Sequence, residues 1–221
     1  MGDLTCAFTG HRPSSYKFGY DEEHPDCCKL KALMTLQIVS LIENGVTTFL
    51  SGMALGADIW GAEIVLACKK KCPQKNIRLI AALPCESQAD RWSVEQRERY
   101  FNILAECDET VYISRHYTRD CMFRRNRWLI DHANFVLAVY NGSSKGGTAY
   151  TINYAYEKKR AVIMIDPDTL IGFTSLSGET VPTAWDMAKA IAVIYSIVRA
   201  AISSTRRRAS SASGVSTSSR R

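Results

Sequence analysis

The sequence predicts an α/β fold: a doubly wound, mostly parallel sheet of about six strands with helices on both faces. Three observations carry this. Strand-like and helix-like segments alternate along the first 166 residues. The strand segments are mostly continuous apolar runs, such as FVLAVYN (135–141) and AVIMID (161–166), as strands buried on both faces should be. The segments between them are long enough for right-handed helical crossovers.

The elements follow in order. LTCAFTG (4–10) is short and β-rich, and a polar loop runs from it to about residue 28. KLKALMTLQIVSLIENG (29–45) carries apolar residues at 30, 33, 34, 38, 41 and 42, a helical spacing, and Gly45 is a natural stop. TTFLSG (47–52) reads as a strand and DIWGAEIVLACKKKC (58–72) as a helix whose terminal lysines suit its negative end. NIRLIAALP (76–84) is a strand stopped by Pro84; 93–107 is a helix and ETVYIS (109–114) a strand. Residues 120–134 and 147–160 read as helices on either side of the strand at 135–141, and 161–166 is the last strand, closed by Pro167. Three regions are expected: a ligand-binding domain over 1–168, a linker with a helix at 183–202, and a disordered Ser/Arg-rich tail over 203–221.

The net charge of +6 belongs to that tail. Without its five arginines the chain keeps 23 basic against 22 acidic residues. A broad nucleic-acid-binding face on the folded part is therefore not expected, while the arginine tail leaves nucleic acid open as a partner. The eight cysteines show no zinc-finger spacing, and MGDLTCAF is expected to enter a strand at once rather than to serve as a secretory leader. Reduced thiols in a cytoplasmic protein, without a metal, are the expectation. No apolar run reaches the roughly 18–20 residues of a membrane span. AIAVIYSIV (190–198) comes nearest and suits packing against the domain or a partner, so a homo-oligomer is open.

In an open parallel sheet, ligands bind beyond the carboxyl ends of the strands. The unusual residues fall there. The first strand ends in Thr9-Gly10-His11-Arg12-Pro13, the second in SGMALGAD (51–58), the third in Pro84 followed by Gln88 and Trp92, and the fifth in NGSSKGGT (141–148). Gly52 and Gly56 permit close backbone approach after Ser51, and the next helix turns free N–H groups toward the loop. SGMALGAD reads equally as a tight turn with Asp58 capping the helix. If it binds a ligand, Asp58 repels phosphate and accepts instead from a ribose hydroxyl or a base. In the second loop, Gly142, Gly146, Gly147 and Thr148 offer backbone donors and a hydroxyl, and Lys145 adds charge. The two loops are read as lying on adjacent strand ends and sharing one ligand. Arg12 suits a phosphate or carboxylate, and His11 is an acid, a base or a simple hydrogen-bond donor. In FRRNRWLIDHA (123–133), Arg124 and Arg127 share a helical face and Asp131 follows Arg127 by four, which reads equally as a surface ion pair on a solvated helix or as one arginine over the ligand with Asp131 holding it. Arg125 is expected to face elsewhere. No residue is assigned as catalytic.

CAFTGHRP, LSGMALGAD, LP with Gln88 and Trp92, RRNRWLID and NG…KGGT occur in that order. Together they resemble the YpsA-like family of the SLOG (Smf/DprA-LOG) superfamily over residues 1–168. The resemblance implies a Rossmann-like fold binding a nucleotide-derived ligand of the ADP-ribose, NAD or nucleoside monophosphate type. It also implies a regulatory role linked to bacterial cell division, with no settled enzymatic activity. The family's glycine-loop positions fall on Gly52, Gly56 and Asp58, and on Gly142, Gly146, Gly147 and Thr148. LOG phosphoribohydrolases resemble PGGxGTxxE, whereas here KGGTAYTINYAYE has no Glu at that spacing after Thr148. Two alternatives stay open: an N-glycosidic-bond hydrolase in which an arginine and Asp58 or Glu63 replace the lost acid, and DprA-like binding of single-stranded DNA.

Overall fold

A computed structural model describes residues 4–175 of the chain. The strands are β1 (Leu4–Gly10), β2 (Val46–Ser51), β3 (Arg78–Leu83), β4 (Glu109–Tyr112), β5 (Phe135–Val139), β6 (Ala161–Ile165) and β7 (Gly172–Ser175). The helices are α1 (Pro25–Glu43), α2 (Ala57–Lys71), α3 (Val94–Glu106), α4 (Cys121–Asp131) and α5 (Gly147–Glu157). One sheet holds all seven strands in the order β4-β3-β2-β1-β5-β6-β7. The first six are parallel, and β7 pairs antiparallel with β6.

Two elements depart from the sequence reading. The sheet runs past residue 168 to β7, whose four residues GFTS are too few to show a period. Helix α1 starts at Pro25 rather than 29, because the His24 ring accepts the Asp26 N–H at 3.2 Å and Pro25 fills the first helical position. The expected helix at 183–202 and the Ser/Arg-rich tail lie outside the described residues.

Strand alternation sorts the core onto two faces. Ala7, Leu50 and Ile80 turn toward Leu129 and Ala133 of α4 and its end, and Val136, Ala138, Val162 and Met164 pack with Ile130 and with Ile152 and Ala155 of α5. On the other face Phe8 and Phe49 stack at 5.9 Å beneath α2, with Trp60 only 1% exposed. Each such fully buried large apolar side chain stabilises the fold by ~1.5–3 kcal/mol.

The order of strands fixes where a crevice opens. From β1 the chain winds through β2, β3 and β4 to one edge; β5 returns to the other side of β1 and winds outward. The loops leaving β1 and β5 therefore diverge, and the space between them is the switch point where such folds bind ligands. The long loop after β1 is tied down by charge. Glu22 accepts from Arg99 (2.6 Å), Lys31 (2.7 Å) and the Trp60 indole (2.8 Å). Arg99 also forks onto Glu63 at 2.6 and 2.7 Å. Burial alone raises the Glu22 carboxyl, but these donors outweigh it and hold it down at about 2.

Candidate functional site

The cleft at the switch point has two connected lobes. The inner lobe, of about 430 Å³, lies between the exits of β1 and β5 and is lined by Thr9 to Arg12, Asp58, Arg125, Asn126, Asn141, Lys145 and Gly146 to Thr148. The outer lobe, of about 690 Å³, lies toward β3 and β4 and is lined by Tyr20, Leu55, Cys85, Gln88, Trp92, Tyr117 and Met122 among others. Arg12, Ala54, Met122 and Arg125 line both.

The β1 exit is held from two sides. The Tyr16 hydroxyl donates to the His11 carbonyl at 2.8 Å while its ring stacks on Trp60. The His11 Nε2 lies 2.9 Å from Asn141 Oδ1, and Asn141 Nδ2 donates to Asp168 at 3.2 Å. That second bond leaves Asn141 its oxygen for His11, so His11 carries its proton on Nε2 and donates. Arg12, the next residue, is exposed and makes no side-chain hydrogen bond or ion pair among the described residues.

The β2 exit is committed to itself. The Ser51 hydroxyl donates to the Asp58 carbonyl at 2.9 Å and accepts the Met53 N–H at 3.0 Å. Met53, fully buried, has φ +55, a left-handed conformation costly for a side chain. Gln88 fastens it, donating from Nε2 to the Met53 and Gly52 carbonyls at 2.7 and 3.2 Å. Gly56 has φ +96 and sits against the His11 carbonyl, where a Cβ would lie 2.8 Å away. At Gly52 a Cβ would lie 1.5 Å from Arg125 Nη1. That glycine makes room for an arginine of α4, not for a ligand.

Arg125 is the residue that sequence reasoning put on the wrong face. Its guanidinium meets Asp58 at 3.3 Å, with both side chains 8% exposed, and its buried Nε has no hydrogen-bond partner among the described residues. Burial pushes the Asp58 carboxyl up, opposed by Arg125 and the Ala54 N–H. Burial pushes Arg125 down, opposed by Asp58 and reinforced by the neighbouring Arg12. Asp58 does not cap α2: its carboxylate takes the Ala54 N–H at 3.3 Å, and Gly56 occupies the cap position. Arg124 and Arg127 stay outside the cleft lining. Arg124 donates to the Ile113 carbonyl, and Arg127 lies over the Tyr150 and Tyr154 rings. Asp131 takes the Tyr154 hydroxyl and Lys158 instead. Glu63, the proposed substitute acid, is engaged by Arg99 in a separate groove between α2 and α3.

The β5 exit is open. Gly146, at φ +103, is the cap of α5, and a Cβ at Gly142 or Gly146 would meet nothing within 4 Å. At Gly147 a Cβ would only touch Asn126 Nδ2 at 3.9 Å. The free N–H groups of the first turn of α5 thus face unfilled space beside Lys145 and Thr148. This loop and SGMALGAD are not on adjacent strand ends, since β1 lies between β2 and β5. The GHRP segment occupies the middle. The inner lobe collects Arg12, Arg125 and Lys145 against the single carboxylate of Asp58.

The chain belongs to the YspA SLOG family, whose YpsA model matches residues 6–170. A UPF0398 protein of Bacillus pumilus is 30% identical over 152 residues, covering 67% of this chain and 80% of that protein. One of Halalkalibacterium halodurans is 28% identical, covering 64% of this chain and 75% of its own length. The DNA processing protein A of Helicobacter pylori, described with a single-stranded DNA binding mode, superposes with a TM-score of 0.49 at 16% identity, over 74% of this chain. The match spans 65% of that structure, less than two thirds of its length. No described helix is long and apolar enough to cross a membrane.

Proposed function

We propose that the protein binds a small phosphorylated, nucleotide-derived ligand in this cleft and acts as a regulator rather than a catalyst. One observation carries the reading: uncommitted cations and an open helix N-terminus converge on a cleft whose one inner carboxylate is already paired. Arg12 and Lys145 make no side-chain hydrogen bond or ion pair among the described residues, and the first turn of α5 points N–H groups at the same space. A phosphate or diphosphate satisfies all three. Binding without turnover is supported by what faces the ligand. Asp58 is tied to Arg125, His11 is tied to Asn141, and no further carboxylate lines the inner lobe among the described residues.

The test is a thermal-shift titration with pyrophosphate, ADP, ADP-ribose and NAD on wild type, Arg12→Ala and Gly147→Val. A ligand at about a hundredfold its Kd stabilises by about 2.7 kcal/mol. The expected result is a shift in wild type that both variants lose while melting normally without ligand. No shift with any of these compounds, or a shift unchanged in both variants, refutes the reading.

A further inference from the structure

The outer lobe carries a second signal, resting on the reading that the inner lobe holds phosphate. Gln88 lines it, and the orientation of its amide is fixed. Nε2 donates to two backbone carbonyls, those of Gly52 and Met53. Turning the amide over would set oxygen against both carbonyls. The remaining atom, Oε1, has almost no solvent-accessible area and no hydrogen-bond partner among the described residues, so a donor reaches it only when neighbouring side chains move aside. A buried acceptor without a donor is unusual in a folded protein and destabilising unless something supplies an N–H or O–H.

The surroundings indicate what supplies it. Three aromatic side chains from three separate loops line the same lobe: Tyr20 after β1, Trp92 after β3 and Tyr117 after β4. Tyr20 and Tyr117 are 59% and 64% exposed, so their rings are available for stacking. Exposed rings beside cations are how proteins hold bases, and Arg12, shared with the inner lobe, links such a base to its phosphates. We propose that the outer lobe seats a nucleobase carrying an exocyclic amine, stacked on the Tyr117 and Trp92 side of the lobe and donating its amine N–H to Gln88 Oε1. A base with an oxo group in that place would set oxygen against oxygen.

The experiment is calorimetric titration of the full chain with five probes: pyrophosphate, ADP, IDP, CDP and UDP. ADP and IDP differ at the purine 6-position, amine against oxo, with the adjacent N1 an acceptor in ADP and an N–H donor in IDP; CDP and UDP differ likewise at the pyrimidine 4-position and N3. The amine member of one pair should bind about tenfold tighter than its oxo partner, because the oxo form leaves the buried acceptor unpaired and repelled. Gln88→Met should level that pair, and pyrophosphate binding by this variant checks that the loop it fastens has survived. Tyr117→Ala, at an exposed position, should weaken the preferred diphosphate about tenfold, the order seen for loss of a stacking ring, and leave pyrophosphate unchanged. Pyrophosphate binding with both pairs level, or with the oxo member preferred, overturns this inference and leaves the phosphate reading standing. No binding of any of the five probes overturns the phosphate reading and this inference with it.

Discussion

Adding one methyl group at Gly52 tests the architecture of the cleft at its tightest point. The Cβ of alanine would lie 1.5 Å from Arg125 Nη1, 2.4 Å from its Cζ and 2.7 Å from Asp58 Oδ2. No small rotation relieves three contacts of that kind, so the guanidinium must leave. Its departure strands a carboxylate whose side chain is 8% exposed. Breaking a buried ion pair by losing one partner costs about 3–5 kcal/mol. For a chain of this size that lowers the melting temperature by roughly 6–20 °C. Urea denaturation with calorimetry measures it. Arg125→Met in the same background provides the coupling: once the guanidinium is gone, Gly52→Ala should add less than it does in wild type, with a difference of about 1 kcal/mol or more. A Gly52→Ala protein melting within about 2 °C of wild type, or additive effects in the cycle, would refute the claim that this glycine exists to admit Arg125.

Other positions give contrasting outcomes. Gly147→Ala meets only Asn126 Nδ2 at 3.9 Å; it should leave stability unchanged or raise it by up to about 1 kcal/mol through helix propensity, while weakening pyrophosphate binding in a titration. Arg125→Lys should destabilise by about 1–3 kcal/mol in urea melts, because an ammonium cannot fork between Asp58 and the cleft. Glu22 has its folded carboxyl held at about 2 against an ordinary 4.5 by Arg99, Lys31 and Trp60, despite the opposing effect of burial. A depressed carboxyl stabilises the fold fully above its unfolded value and loses that contribution as pH falls through the folded one. Wild type should therefore lose stability from about pH 5 down to about pH 2, and Glu22→Gln should show a flatter urea midpoint over that window.

Much of this was legible in the sequence, for physical reasons. Continuous apolar runs marked most of the six parallel strands because both their faces are covered; the edge strand β4, ETVY, with Glu109 and Tyr112 exposed, is the exception. The loops at the strand ends stood out because glycine and charge are rare in such a core. Arg125 was misread because the ligand-facing side of the helix was chosen from the spacing of Arg124 and Arg127. Another spacing held the answer: Cys121, Arg125 and Leu129 fall at intervals of four, and all three are buried. A guanidinium on the apolar stripe of a helix must find a buried partner, and Asp58 was the acid available at a strand end. The aromatic lining was less accessible. Tyr20 and Tyr117 sit in loops of no recognisable period, and only the fold brings them to Trp92. The orphaned Gln88 oxygen depends on where two distant carbonyls point, which no local pattern encodes.

Two glycine loops that look alike on paper thus do different work. Around Gly52 and Gly56 the space a side chain would need is filled by Arg125 and the His11 carbonyl. Around Gly142 and Gly146 it is empty. On the proposed reading, the β2 loop acts on a ligand through Arg125, by holding that side chain in the cleft wall, while the β5 loop meets the ligand itself. The distinction has a measurable form. A substitution in the β2 loop should lose stability and binding together, since the same displaced guanidinium causes both. A substitution at Gly147 should lose binding alone. If Gly147→Ala instead proved as destabilising as Gly52→Ala, the β5 loop would be scaffold too, and the ligand would have to be sought in the outer lobe without it.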